Sequence, residues 1–298
     1  MTIDFTHKPN VVFYHFPCLD GFASAMAFHL KWPDVNLIPI NYGSNTRKTV
    51  LDNVIGNNST IVFADFFPGV ETIELLVHGT NRKIIVLDHH KSAEKDARVL
   101  FDTGVISGIF DMDRSGAGIC WDVLHGTPRP KMINYIEDRD IWKWKYGKVS
   151  KFFHTFIASH YFDFNIWEDI LNKTEDDTFL QSYLKEGEAI ERKHMKDIRE
   201  LIDNCTQWRK ICGHTVPVVN IPYTHGSETG NLLLDIYPYA PFVAYYIDMD
   251  GYRKWGFRSE DHRVDVSEIA KLLGGGGHKN ASGAELPFDS ELIVQVTE

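Results

Sequence analysis

Short apolar runs and longer amphipathic stretches alternate through the first half of the chain. Residues 11–16 (VVFYHF) form a continuous β-branched and aromatic run of strand length. Residues 21–31 (GFASAMAFHLK) follow with helical spacing. Further runs at 35–40, 60–64 (TIVFA) and 83–87 (KIIVL) predict three more strands, and 70–78 is apolar at roughly helical intervals. Strands that alternate with helices imply βαβ units, so the predicted fold is α/β with a doubly wound, mainly parallel sheet. Residues 114–125 and 131–136 read as helices of the same domain. Residues 179–205 then carry a long, charged, amphipathic pattern in which Phe179, Leu180, Tyr183, Leu184, Ile190, Ile198, Leu201 and Ile202 could form one stripe. That pattern predicts a connecting helix. Beyond it, 215–221, 242–247 and 254–258 are strand-like, and 266–273 is a short helix ending in four glycines. The expected organisation is therefore a first domain over 1–180, a helical linker over 181–212 and a smaller mixed α/β domain over 213–298.

Composition narrows the class. A 298-residue chain with 43% hydrophobic and 13% aromatic residues can bury substantial cores, which excludes intrinsic disorder. No stretch reaches the ~20 apolar residues of a membrane helix, and the first ten residues lack the apolar core of a secretory signal. Cys18, Cys120, Cys205 and Cys212 form no CxxC pair, so a reduced, cytoplasmic protein is expected. The net charge of −10, from 31 basic and 41 acidic residues, argues against a long charge-driven nucleic-acid track. It leaves room for a short nucleotide substrate in one pocket.

Three of the four predicted strands of the first domain end at or just before a candidate metal ligand. The first delivers His15 and then Asp20, the third Asp65, and the fourth Asp88, His89 and His90. In open parallel sheets the ligand site lies outside the carboxyl ends of the strands. Taken singly, Asp65 is an ordinary cap or turn residue and His15 a hydrogen-bonded core histidine. Their coincidence at one edge is what points to a site. Carboxylates with imidazoles suit Mn2+, Mg2+ or Fe2+. Two such ions about 3.5–4 Å apart can activate water and steady a leaving oxygen, and Asp65 is the candidate bridge by its central position. A second acidic cluster, Glu137-Asp138-Arg139-Asp140, reads by itself as a solvated helix end with an internal ion pair. The aromatics Trp142, Trp144, Tyr146, Phe152, Phe153 and Phe156 read as core packing, with a base-stacking platform as the alternative. Finally, Gly274, Gly275, Gly276 and Gly277 precede His278. Successive glycines let backbone N–H groups form an anion nest, to which His278, Lys279 and the guanidinium of Arg258 would add charge. A helix C-terminus is the plainer reading of the same run.

The order His15-x4-Asp20-Gly21, then Phe63-Ala64-Asp65, then Asp88-His89-His90, then the acidic motif, then GGGGHxxAxG resembles the DHH phosphoesterase superfamily, the last motif resembling its DHH-associated C-terminal domain. The resemblance runs from His15 to Gly283. It implies a divalent-metal phosphoesterase, usually manganese-dependent, with Mg2+, Fe2+ or Co2+ as alternatives and one or two ions. Members include nano-RNases, cyclic-dinucleotide phosphodiesterases, RecJ-type exonucleases and pyrophosphatases. By motif, it implies that His15, Asp20, Asp65, Asp88 and His89 bind metal, with Asp138 the first choice for the fourth acid and Asp140 its rival. It assigns His90, with Asp88 and His89, to the catalytic centre, with His90 at the scissile phosphate. Gly275, Gly276, Gly277, His278, Lys279 and Arg258 would hold the substrate phosphate or terminal nucleotide. Many members have Asp-x-Asp in the first motif, where this chain has Cys18-Leu19-Asp20. Cys18 is then a ligand, or one ion binds weakly, or a single ion suffices; a thiolate is an unusual partner for Mn2+ and better suited to Fe2+ or Zn2+. The expected substrate is a short single-stranded oligonucleotide cleaved to mononucleotides, with cyclic or linear dinucleotides second. A non-catalytic nucleotide-binding module with a decayed first metal site is the alternative. No membrane partner is expected, and a homodimer is left open.

Overall fold

In the computed structural model, which describes residues 3, 5–43, 45–290 and 293–295, the strand–helix alternation begins with β1 (Val11–His15), α1 (Leu19–Lys31), β2 (Leu37–Ile40), α2 (Thr46–Asn53), β3 (Thr60–Ala64), α3 (Val70–Val77), β4 (Lys83–Asp88), α4 (Glu94–Asp102) and β5 (Ser107–Phe110). Four further helices follow: α5 (Gly116–Leu124), α6 (Lys131–Asp140), α7 (Lys148–Ala158) and α8 (Phe164–Thr174). The strands form one parallel sheet in the order β2-β1-β3-β4-β5. The apolar runs are continuous because both faces are covered. Val12, Tyr14, Val62, Ala64, Ile85 and Leu87 pack with residues of α1 and α5 to α8. The intervening Val11, Phe13, Ile61, Phe63, Ile84 and Val86 pack with Val50, Ile73, Leu76, Ala97 and Leu100 of α2 to α4. The sheet is thus doubly wound, as the strand pattern implied.

Helices α2 and α4 and strand β5 left little trace in the apolar pattern. Helix α2 buries only Val50, and the edge strand β5 (SGIF) is half-buried along its length. A Cβ at Gly108 would overlap the Val86 carbonyl, so glycine is what lets β5 approach β4.

The predicted connecting helix is α9 (Asp177–Cys205). Leu180, with Tyr183 and Leu184 against it, belongs to the first core. Ile198 and Ile202 belong to a different one. The chain divides between these turns into units Met1–Ile190 and Glu191–Glu298.

The second unit continues with β6 (Gln207–Ile211), β7 (His214–Asn220), α10 (Gly226–Ile236), β8 (Val243–Asp248), β9 (Tyr252–Arg258), α11 (Val266–Leu272), β10 (Gly276–His278), β11 (Ala281–Pro287) and β12 (Ile293–Gln295). Its mixed sheet runs β10-β11-β9-β8-β7-β6-β12, with only β7 and β8 parallel. Helix α11 packs on Val218, Ala244 and Phe257, and α10 packs on Val219, Val243 and Tyr245. Strand β6, which the sequence reading placed inside the linker, is part of this sheet; its exposed, charged pattern (QWRKI) hid it. The expected second domain ends at 298, and its positions 291–292 and 296–298 lie outside the described residues. Among the described residues no helix is long and apolar enough to cross a membrane.

Candidate metal centre and active site

The strand order reverses between β1 and β3, and at such a switch point the carboxyl ends of neighbouring strands open a crevice. His15 ends β1, Asp65 follows β3 directly, and Asp88 ends β4 with His89 and His90 after it. Asp65 sits in the left-handed region at φ 57°, a conformation that aspartate tolerates better than most residues and that recurs at functional sites. Its N–H donates to the Leu87 carbonyl at 2.8 Å. Two glycines bring the surrounding helices in. A Cβ at Gly21 would overlap the His15 carbonyl, so only glycine lets α1 start against the end of β1. At Gly116, the first residue of α5, a Cβ would run into the Asp65 side chain. The α5 N-terminus is capped by the Ser115 hydroxyl, which accepts from Gly118 N–H at 3.2 Å.

Three overlapping sets of atoms able to ligate a metal meet here among the described residues: His15, Cys18 and Asp65; Asp65, His89 and His90; and Asp20, His89 and Asp140. Within each set the ligand atoms lie within 4.8 Å of one another. Asp65 and His89 are shared. His89 Nε2 lies 3.2 Å from Asp65 Oδ1, 3.5 Å from Asp140 Oδ2 and 3.6 Å from Asp20 Oδ2. His15 Nδ1 is 3.4 Å from Asp65 Oδ2. The Asp20 carboxylate is held by the start of α5, accepting from Gly116 N–H at 2.7 Å and Ala117 N–H at 3.0 Å, where the helix dipole favours an anion. Asp88 plays a different part. Its Oδ1 accepts from His89 N–H at 2.8 Å and meets His90 Nδ1 at 2.7 Å, fixing the His90 ring.

The charges are crowded. Burial, with the neighbouring Asp65 and Asp140 charges, pushes the Asp20 carboxyl well above its usual range. Burial raises Asp140 to about 6, the nearby His89 opposing and Asp65 reinforcing. Burial and the surrounding carboxylates raise the Cys18 thiol. Asp65 goes the other way: burial would raise it, but His15, His89 and His90 together hold it below the ordinary range. Burial works against protonation of His90, yet Asp88 and Asp65 raise it overall.

Asp140, not Asp138, joins the cluster. Asp138 is buried with its carboxylate turned to its own loop, accepting from Lys145 N–H at 2.6 Å, Tyr146 N–H at 3.1 Å and the Ser150 hydroxyl. Residues two apart on a helix point about 200° apart, so one turn of α6 sends the two acids to opposite sides. This reverses the order of preference drawn from the motif. Glu137 is not solvated either: it accepts from Arg129 at 2.6 Å and from Ser115 N–H at 3.0 Å, bracing α6 on the start of α5. The aromatics that follow divide. Phe153 and Phe156 are core, whereas Trp142 is 49% exposed.

In the second unit the glycine run is built differently from an anion nest. Gly274 and Gly275 N–H cap α11, donating to Lys271 O at 3.1 Å and Ala270 O at 2.8 Å. Gly274 takes the left-handed φ of 78° that a helix C-terminus demands. Gly276, Gly277 and His278 then form the edge strand β10, whose far side presents unpaired backbone groups. The amide of Gly275 is therefore unavailable to a phosphate. Pairing aligns His278 with Ala281 and Ala281 with Arg258, so the two basic side chains share one row across three strands. Arg258 also bonds the Tyr245 hydroxyl at 3.0 Å. Lys279 is turned to the Asp261 carbonyl at 3.0 Å.

No family model matches the chain. An uncharacterised protein of Acanthamoeba polyphaga mimivirus is 32% identical over 294 residues, covering 92% of this chain and 66% of the relative. The oligoribonuclease NrnB of Bacillus subtilis strain 168 is 25% identical over 228 residues, covering 68% of this chain and 53% of that protein. The chain thus spans between half and two thirds of the length of these curated relatives. The DHH domain of a protein described as a member of a ribosomal-protein family superposes with a TM-score of 0.60 at 14% identity, over 94% of this chain and 83% of that one. The chain has the fold of the DHH superfamily.

The cluster at this edge fits a divalent cation on its own geometry. His15 Nδ1, both Asp65 oxygens and Asp88 Oδ2 are buried without hydrogen bonds, an unfavourable state unless something else satisfies them. Cys18 lies with His15 and Asp65. The start of α5 is the part that sequence reasoning missed; its signal was the run of small residues Ser115-Gly116-Ala117-Gly118 opening a helix. Gly116→Ala is expected to cost about 1–3 kcal/mol of stability by overpacking and to lower bound metal, because Asp65 must move. Thermal melts with metal titration would check both; a variant with native metal affinity would show that the contact yields.

Proposed function

We propose that this chain is a metal-dependent phosphodiesterase that hydrolyses short oligonucleotides to mononucleotides. The carrying observation is that His15 Nδ1 and both Asp65 oxygens, buried without hydrogen bonds, lie among three overlapping ligand groups at the β1/β3 switch point. His15, Cys18 and Asp65 would hold one ion, and Asp20, His89 and Asp140 a second, with Asp65 and His89 near both; Mn2+ is the ion the DHH resemblance favours. A bound divalent cation supplies Lewis-acid stabilisation of phosphoryl oxygens and an acidified water. The protein's own groups do the rest. Asp88 locks the Nδ1 side of the His90 ring, leaving the other ring nitrogen to donate to a phosphate oxygen. The α5 N-terminus keeps the Asp20 carboxylate oriented. The relation to a protein named as an oligoribonuclease supports short RNA as substrate. The unpaired state of the four cysteines is consistent with a cytoplasmic enzyme.

The test is a substrate panel with Mn2+: RNA and DNA of two to five nucleotides, cyclic dinucleotides and pyrophosphate. Release of mononucleotides from the short oligomers, lost in Asp140→Asn, is the expected outcome. Absence of any phosphodiester cleavage, or equal cleavage in EDTA, would sink the reading. Chelation is expected to lower oligonucleotide affinity at least about tenfold, ~1.4 kcal/mol, because bound cations offset Asp20, Asp65 and Asp140 where a polyanion must approach. No metal uptake with nucleotide binding retained would instead favour a non-catalytic module.

A further inference from the structure

The loop that leaves Asp140 has features that metal ligation does not require. From the last turn of α6 into the first of α7, residues 139–151 (RDIWKWKYGKVSK) carry five basic side chains and one acid, with Lys143 and Lys145 on the loop itself, in a chain whose net charge is −10. Lysines alternate with Trp142, Trp144 and Tyr146, the interleaving found where a backbone and its bases are held together. Trp142 and Trp144 both adopt left-handed backbone conformations, at φ 55° and 53°. For residues this bulky that is a strained state, and it persists only where surrounding structure imposes it. The imposing structure is the Asp138 cage: its carboxylate takes the N–H groups of Lys145 and Tyr146, and its carbonyl takes Lys143 N–H at 3.1 Å. Lys143 Nζ also ties the loop to the Asp113 carbonyl at 2.8 Å.

The strained loop yields a layered arrangement. The Arg139 guanidinium lies over the Trp142 ring at 4.3 Å and over Trp144 at 5.3 Å. The two indoles meet edge to face at 5.3 Å. Trp142 remains 49% exposed, with Arg139 against it. An indole with a cation on it presents a stacking surface for a π-system. Only Ile141 separates Trp142 from Asp140, so their Cα atoms are at most about 7.6 Å apart.

We propose that Trp142, backed by Arg139 and positioned by Asp138, is a nucleobase-stacking platform for the nucleotide beside the scissile phosphate, with Lys145 facing the strand's backbone. This deepens the hydrolase reading and rests on it for the identity of the ligand. It also gives Asp138 a role: a positioning residue for the platform in place of a metal ligand.

The test is calorimetric binding of the full chain, loaded with Mn2+, to a phosphorothioate pentaribonucleotide and to its abasic counterpart of equal length and charge. Trp142→Ala is expected to weaken the base-bearing oligomer about 5- to 100-fold. Affinity for the abasic oligomer should stay within about twofold, which also shows that the variant is folded, and Trp142→Phe should recover most of the loss. Equal affinity of wild type and Trp142→Ala for the base-bearing oligomer, or equal weakening of both oligomers, would overturn the platform. If the wild type hydrolyses oligonucleotides but shows neither effect, the platform fails and the hydrolase stands. If it hydrolyses nothing yet its base preference depends on Trp142, the platform stands and the hydrolase fails. If it binds neither oligomer, both fail.

Discussion

Asp65→Asn is expected to lower turnover at least ~10³-fold, on the order of 4 kcal/mol of transition-state stabilisation, and to remove metal binding with it. Asparagine is the informative replacement. It tolerates the left-handed backbone at φ 57° nearly as well as aspartate, so the turn after β3 survives while the charge disappears. That charge is favoured by the fold, since the surrounding histidines hold Asp65 ionised despite its burial. Both its oxygens lack hydrogen bonds, and it belongs to two of the three ligand sets. Metal titration by calorimetry, beside the turnover assay, separates the possibilities. Activity within tenfold of wild type would mean that Asp65 is a structural turn residue.

Exchanging the two acids of α6 should give opposite results. In the metal-free protein, Asp140→Asn is expected to be stabilising near pH 7.5. The carboxyl of Asp140 is raised to about 6, above the unfolded value of about 3.9. Its ionisation therefore opposes folding: stability is lost as pH rises from about 4 through 6, and asparagine escapes that loss. A shift of this size corresponds to about 3 kcal/mol; with the side chain still 28% exposed, about 1–2 kcal/mol is the realistic gain after solvent screening. It should vanish near pH 4, and catalysis should vanish with the ligand. Metal binding must displace the protons that crowding retains, so metal-induced stabilisation should grow across the same window. Asp138→Asn should do the reverse. It disrupts a buried carboxylate that accepts from two backbone amides and a hydroxyl, at a cost of about 3 kcal/mol. Chemical denaturation of both variants at pH 4.5 and 7.5 decides the matter. A stabilised Asp138→Asn with a destabilised Asp140→Asn would restore Asp138 as the ligand.

The α/β architecture of the first unit was legible because its central strands are buried on both sides. Val11 to Tyr14 and Ile84 to Leu87 had to be apolar at every position, and such runs stand out. Strands β5 and β6 and helix α2 were hidden for the converse reason: edge and surface elements bury little, so nothing in their composition distinguishes them from loops. Within the site, His15, Asp65, Asp88, His89 and His90 could be found in the sequence because strand ends in a parallel sheet share one edge.

The chain's residues by themselves determined the layered sheet, the edge at which chemistry gathers and the acid–imidazole character of the site. These follow from apolar runs and from residue type at strand ends, both local properties. Tertiary structure alone decided which carboxylate faces the centre. Asp138 and Asp140 are chemically alike and two positions apart, and only the direction each takes from the last turn of α6 separates the acid beside His89 from the loop anchor. It also decided that Cys18 stays within ligand distance of His15 and Asp65, that Gly116 makes room for Asp65, and that the glycines before His278 are spent on a helix end and a strand. Direction, close approach and the prior use of a backbone amide are relations between segments distant in the chain, and no local pattern of residues encodes them.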